Sequence, residues 1–149
     1  LQRGAARVVA VDAGTNQLDW KIRSDPRVKV FEKTNARFLR PGQFGETFDL
    51  ATMDVSFISS TLILPVVPSL LHSGSILSVL VKPQFEVDRS QVGKGGIVRD
   101  PDLHQQALDR VSHKVSELGF EKISTAPSPI LGASGNREFF LHAIWPGHS

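Results

Sequence analysis

The sequence predicts an α/β fold with a mostly parallel sheet and an antiparallel hairpin at its carboxyl end. Short β-branched runs alternate with helix-like segments along most of the chain. One run, Ser75 to Lys82 (SILSVLVK), is almost continuously apolar, as a parallel strand covered on both faces should be. The last two apolar runs are separated only by a turn region, which suits a closing hairpin. At 149 residues the chain is expected to be a single domain, 1–149.

Arg7 to Asp12 (RVVAVD) reads as a strand ending in an acid and Gly14, and Asn16 to Arg23 as a helix fed by it. Val28 to Phe31 is a second strand, followed by the polar turn Thr34-Asn35-Ala36 and a Pro41-Gly42 break. Phe48 to Asp54 (FDLATMD) is a third strand, again ending in an acid. Ser56 and Ser59 can cap a buried helix carrying Ile58, Leu62, Leu64 and Val66, which Pro65 and Pro68 kink and Gly74 closes. Ser75 to Lys82 is the central strand, stopped by Pro83, which also biases Lys82 toward extended backbone. Residues 83–100 form a long loop, and within it residues 86–98, with Gly93, Gly95 and Gly96 as low-cost hinges and few apolar residues to anchor them, are expected to be mobile or poorly ordered without a ligand. Asp102 to Leu118 is an amphipathic helix, with Leu103, Ala107, Leu108, Val111, Val115 and Leu118 on one face and Gly119 at its end. Phe120 to Ala126 and Glu138 to Trp145 are the strands of the hairpin.

Composition narrows the function. With no cysteine, disulfides, Cys-ligated zinc and thiol nucleophiles are excluded, and a cytoplasmic setting fits best. The five histidines show no metal-ligand spacing, so no metal site is expected. Residues 1–40 hold nine Lys or Arg against four Asp or Glu, and the rest of the chain eight against eleven, so the amino-terminal third favours a polyanion. Val55 to Val81 carries no Asp, Glu, Lys or Arg, but its serines, prolines and Leu-His-Ser-Gly break read as a buried helix and a strand, and no stable membrane insertion is expected. The start, LQRGAARVVAVD, lacks the zones of a signal peptide and an initiator Met, so the chain is expected to begin inside a longer protein.

In a parallel sheet ligands sit at the carboxyl ends of the strands, where Asp12, Asp54 and Lys82 fall. Asp12 can accept from the hydroxyls of a nucleoside ribose, or it can cap the segment that follows. Two charges ending adjacent apolar strands are costly unless paired or used. Asp54 and Lys82, with Glu138 approaching from the hairpin, are therefore either a structural ion pair at the sheet rim or a catalytic group. The run Gly93-Lys94-Gly95-Gly96 lacks P-loop spacing; Lys94, Gly95 and Arg99 are candidate contacts to an anionic substrate, with an ordinary mobile loop as the alternative.

The segments AVDAGTNQLDWKIRSDPRV, TNAR, DVSFIS, LVKPQFE, VGKGGIVRD and GNREFF, in this order and spacing, resemble the TlyA family, proteins labelled haemolysins that carry an FtsJ-like ribosomal RNA 2′-O-methyltransferase domain. The resemblance spans nearly the whole chain. It implies a Rossmann-like methyltransferase fold, S-adenosylmethionine as methyl donor, and ribosomal RNA or ribosomal subunits as partner. In the family's Lys-Asp-Lys-Glu tetrad, Asp54 matches the acid, Lys82 the second lysine and general base, and Glu138 the glutamate. Asp12 matches the acid near the cofactor ribose, Asn35 lies toward the adenine end, and Asp54 is counted among the cofactor contacts as well. The family's first lysine, Gly-rich loop, first strand and S4-type RNA-binding domain would all precede Leu1, so a truncated methyltransferase, incapable of the reaction by itself, is expected. A membrane-active haemolysin and a non-catalytic RNA-binding module are the competing readings.

Overall fold

The structure, a computed structural model, describes residues 1–148. It divides into two compact units, one of residues 1–39 and one from Arg40 onward.

In the first unit, β1 (Val8–Val11) pairs in parallel with β2 (Val28–Phe31). Between them the expected helix shortens to α1 (Trp20–Arg23), because Asp19 is its N-cap, accepting from the Lys21 amide. Asn16, at φ 55, cannot be helical. Arg23 pairs with Glu32 just beyond β2, and the Arg27 guanidinium clasps Asp25 through Nε at 3.0 Å and Nη2 at 2.7 Å. That clasp, with the Arg27 amide, holds the Asp25 carboxyl down to about 2. No residue of this unit is fully buried.

The second unit is built on a four-stranded sheet in the order β3 (Phe48–Met53), β4 (Leu71–Val81), β6 (Phe139–Ile144), β5 (Glu121–Pro127). β3 and β4 run parallel, and β6 runs antiparallel to both β4 and β5, which gives the mixed sheet and the closing hairpin. Every second residue of β4 from Ser75 to Val81 is buried on one face, facing Leu141 and Ala143 of β6. α3 (Pro101–Glu117) packs against that sheet and buries His104, Ala107, Leu108, Val111 and Val115. Asp100 caps it by accepting from the Asp102 amide, Pro101 occupies its first turn, and Gly119 at φ 101 ends it. Leu108, Val111 and Val115 each contribute roughly 1.5–3 kcal/mol on leaving water.

Three expectations change. β4 is not covered on both faces: its Ile76 and the β3 partner Leu50 are both about half exposed. The helix expected after residue 56 is instead a pair of 3-10 segments, Ser60–Leu62 and Leu64–Leu70, because Pro68 supplies no amide and crowds the preceding turn. Ser59, not Ser56, caps the first by accepting from the Thr61 amide. Gly74 does not close a helix, since β4 already begins at Leu71 and runs through it.

Candidate active site

The antiparallel register of β4 and β6 ends at Val81 opposite Phe139, which sets Lys82 across from Glu138 one residue further on. Lys82 is extended, at φ −112 and ψ 101, as the following proline requires, and Pro83 starts the one-turn helix α2 (Pro83–Glu86). Asp54 follows β3, the neighbour of β4 on its other side. Lys82 therefore projects at a point flanked by both acids.

Its Nζ lies 2.7 Å from Asp54 Oδ1 and 3.1 Å from Ser56 Oγ. The Lys82 side chain is only 14% exposed, whereas that of Asp54 is 68% exposed, so the ammonium is sheltered and the carboxylate is open to incoming groups. Glu138 is buried and turns to a different partner, accepting from Gln84 Nε2 at 3.1 Å. Gly132 lies against its carboxyl group so closely that an added Cβ would overlap it.

The segment between Asp54 and the first 3-10 turn is shaped by residues that sequence reasoning missed. Phe57 sits at φ 64 and is 91% exposed, its ring centroid 5.1 Å from that of Phe85. A bulky residue in that backbone region costs about 1–3 kcal/mol and persists only where its surroundings demand it. Glu86, buried at the end of α2, supplies the demand by accepting from Ser59 Oγ and, at 2.9 Å each, from the Ser60 amide and hydroxyl. Arg110 of α3 reaches the same residue, donating to the Glu86 carbonyl at 3.0 Å.

The long loop is more ordered than its glycines suggest. Asp88 and Gln91 form a capping box around Arg89–Gln91, and the Gly93 amide donates to the Ile97 carbonyl at 2.9 Å. A Cβ at Gly93 would come within 2.8 Å of that carbonyl, so glycine is required there. Asn136 then ties the loop to the hairpin: its Oδ1 accepts from the Val98 amide at 3.0 Å and its Nδ2 donates to the Gly96 carbonyl at 2.9 Å. His104 Nε2, 2.7 Å from the Val98 carbonyl, must carry a proton to make that contact. The expectation of a mobile loop rested on its glycines and its few apolar residues and did not consider these polar contacts. Lys94, Gly95 and Arg99 lie on its exposed side.

Asp12 and Asn35 belong to the first unit. Asp12 Oδ1 accepts from the Gly14 amide at 2.7 Å, so it does cap the following turn, yet its side chain also lines a small concavity formed by Ala10, Val11, Gln17, Leu18, Val30 and Glu32. Asn35 caps the 3-10 turn Ala36–Phe38 by accepting from the Arg37 amide.

Residues 1–144 match the FtsJ-like methyltransferase family. The chain belongs to that family. It is 47% identical over 141 residues to the 16S/23S rRNA (cytidine-2′-O)-methyltransferase TlyA of Mycobacterium tuberculosis, covering 95% of this chain and 53% of that protein. It is 40% identical to Hemolysin A of Brachyspira hyodysenteriae, covering 97% of this chain and 60% of that one. A crystal structure from Lactococcus lactis, solved under a hemolysin name, superposes with a TM-score of 0.93 at 44% identity, covering 98% of this chain and 70% of that chain. The chain thus spans about half the length of the curated relatives it matches. A Methanosarcina mazei S-adenosylmethionine-dependent methyltransferase, at 17% identity and a TM-score of 0.63, shares the fold. Among the described residues no helix is long and apolar enough to cross a membrane, and no cluster of side chains could hold a metal ion.

Proposed function

We propose that this FtsJ-like chain is part of a cytoplasmic enzyme that transfers a methyl group from S-adenosylmethionine to a ribose 2′-hydroxyl of ribosomal RNA, with Lys82 as general base. The observation that carries this reading is the sheltered Lys82 amine held by Asp54 at the rim of the sheet.

The residues present suit the donor. The concavity beside Asp12 joins apolar walls to carboxylates, as a nucleoside requires, and Asp12 keeps one carboxylate oxygen beyond the Gly14 contact for a ribose hydroxyl. When bound, the cofactor supplies a methyl group on a positively charged sulfur. The chain's own task is to position and deprotonate a weak nucleophile. Lys82 accepts the hydroxyl proton, Asp54 holds the resulting ammonium, and Glu138 faces the same rim from β6. Phe57 offers an exposed ring beside this group on which an unstacked base can lie. Lys94 and Arg99, exposed on the long loop, offer cations to the RNA phosphates.

Lys82→Ala in the full-length protein tests the reading. Incorporation of labelled methyl into ribosomal RNA should fall by about 100-fold or more, the lower range for loss of a positioned base. Cofactor affinity, measured by calorimetry, should stay nearly unchanged. Transfer at the wild-type rate in that variant refutes the assignment.

A further inference from the structure

Ser56 was expected to cap a helix, and it does not: the turn that follows is capped by Ser59. Its hydroxyl accepts instead from Lys82 Nζ at 3.1 Å, while Asp54 Oδ1 accepts from the same nitrogen at 2.7 Å. A neutral lysine amine has two N–H groups and one lone pair on a tetrahedral nitrogen. Two acceptors are therefore the number needed to occupy both N–H groups, and the lone pair is left pointing away from Asp54 and Ser56. With Asp54 alone the amine could turn about its Cε–Nζ bond and present an N–H where a base must present its lone pair.

We propose that Ser56 is a positioning residue that works through Lys82, fixing the rotation of the amine so that its lone pair faces the hydroxyl to be methylated. This inference rests on the methyl-transfer reading above. In the step it serves, the hydroxyl proton passes to Lys82 Nζ and the oxygen forms a bond to the methyl carbon. The carbon–sulfur bond breaks with its electron pair going to sulfur, so the sulfonium donor leaves as a neutral thioether and Lys82 becomes an ammonium. Ser56 and Asp54 then accept from two of its three N–H groups without moving. The hydroxyl of Ser56 exchanges no proton at any point.

The test is a double-mutant cycle in the full-length protein with ribosomal subunits and S-adenosylmethionine. Ser56→Ala should lower kcat about tenfold, the scale of a modest loss of orientation, with KM for both substrates unchanged. Ser56→Thr, which keeps the hydroxyl, should recover most of that loss. In a Lys82→Ala background, Ser56→Ala should cost nothing further, because the amine it orients is gone. An unchanged kcat in Ser56→Ala, or a full additional loss in the Lys82→Ala background, overturns the proposal while leaving Lys82 as the base. Equal activity of wild type and Lys82→Ala overturns the underlying reading instead. Nitrogen relaxation of the Lys82 amine by NMR gives a readout that needs no turnover: the amine should rotate more freely in Ser56→Ala, and equal mobility in both proteins refutes the orienting role.

Discussion

Replacing Glu86 with alanine removes one acceptor from three donors at once: the Ser59 hydroxyl, the Ser60 amide and the Ser60 hydroxyl. Ser60 is only 2% exposed, so both of its donors lose their partner in a place water barely reaches. A buried donor left without an acceptor costs about 1–3 kcal/mol. Two such groups give about 2–6 kcal/mol, and the cavity left by the missing carboxylate can admit a water that recovers part of it, so about 2–4 kcal/mol is expected. Arg110 approaches the carboxylate only at 3.9 Å with a half-exposed side chain, and its own loss adds little. Glu86→Gln keeps the volume and one carbonyl oxygen and should cost about 1–2 kcal/mol. Urea unfolding followed by circular dichroism measures this as a lower midpoint at unchanged slope. A Glu86→Ala protein within about 0.5 kcal/mol of wild type, inside ordinary surface-mutation scatter, would show that Ser59 and Ser60 do not depend on this carboxylate.

Two further outcomes follow from geometry at the ends of the sheet. Gly132→Ala has acceptable backbone angles, φ −83 and ψ −164, but its Cβ would overlap the Glu138 carboxyl, so it should destabilise by about 1–3 kcal/mol and the cost should vanish in a Glu138→Ala background; a cost that persists there places the strain elsewhere. His72 is pushed above its ordinary 6.5 by the Ser73 carbonyl and by Asp49, so its charge stabilises the fold below about pH 6.5 and that contribution is lost as pH rises through the raised value. Asp49→Asn should lower the His72 midpoint in an NMR titration without abolishing the shift, since the Ser73 contact remains, and an unmoved midpoint would exclude the pair.

Local pattern made the strands and α3 legible. Val8–Val11, Val28–Phe31 and Phe48–Met53 are short β-branched or alternating runs that end at a charge or turn, and α3 repeats its apolar residues at helical spacing between Asp100 and Gly119. In the 55–81 run the strand was legible but the helix before it was not, because apolar content is shared by helices and 3-10 turns and Pro65 and Pro68 were taken only to kink a helix. The candidate site was legible as charges at strand ends: the structure brings Lys82 to Asp54, while Glu138, across from Lys82, spends its hydrogen bond on Gln84. The partners of Ser56, Gln84 and Glu86 went unrecognised because they lie 26 or more residues away in the chain, a separation that no local spacing reveals.

The same pairings explain why the motifs occur together. LVKPQFE supplies Lys82 to Asp54 and Ser56, Gln84 to Glu138, and Glu86 to Ser59 and Ser60, so one short segment touches both DVSFIS and GNREFF. Asn136 of GNREFF in turn holds Gly96 and Val98 of VGKGGIVRD. Motif residues here divide into those that present a group to the open rim, Lys82, Asp54 and Phe57, and those that fix the first set by filling buried hydrogen bonds, Gln84, Glu86 and Asn136. A substitution in the second set should therefore register first as lost stability, and as lost activity only through displacement of the first. Counting a motif residue as catalytic because it belongs to the motif would confuse the two. The Glu86 and Lys82 variants separate them: one should move the unfolding midpoint, the other the turnover rate.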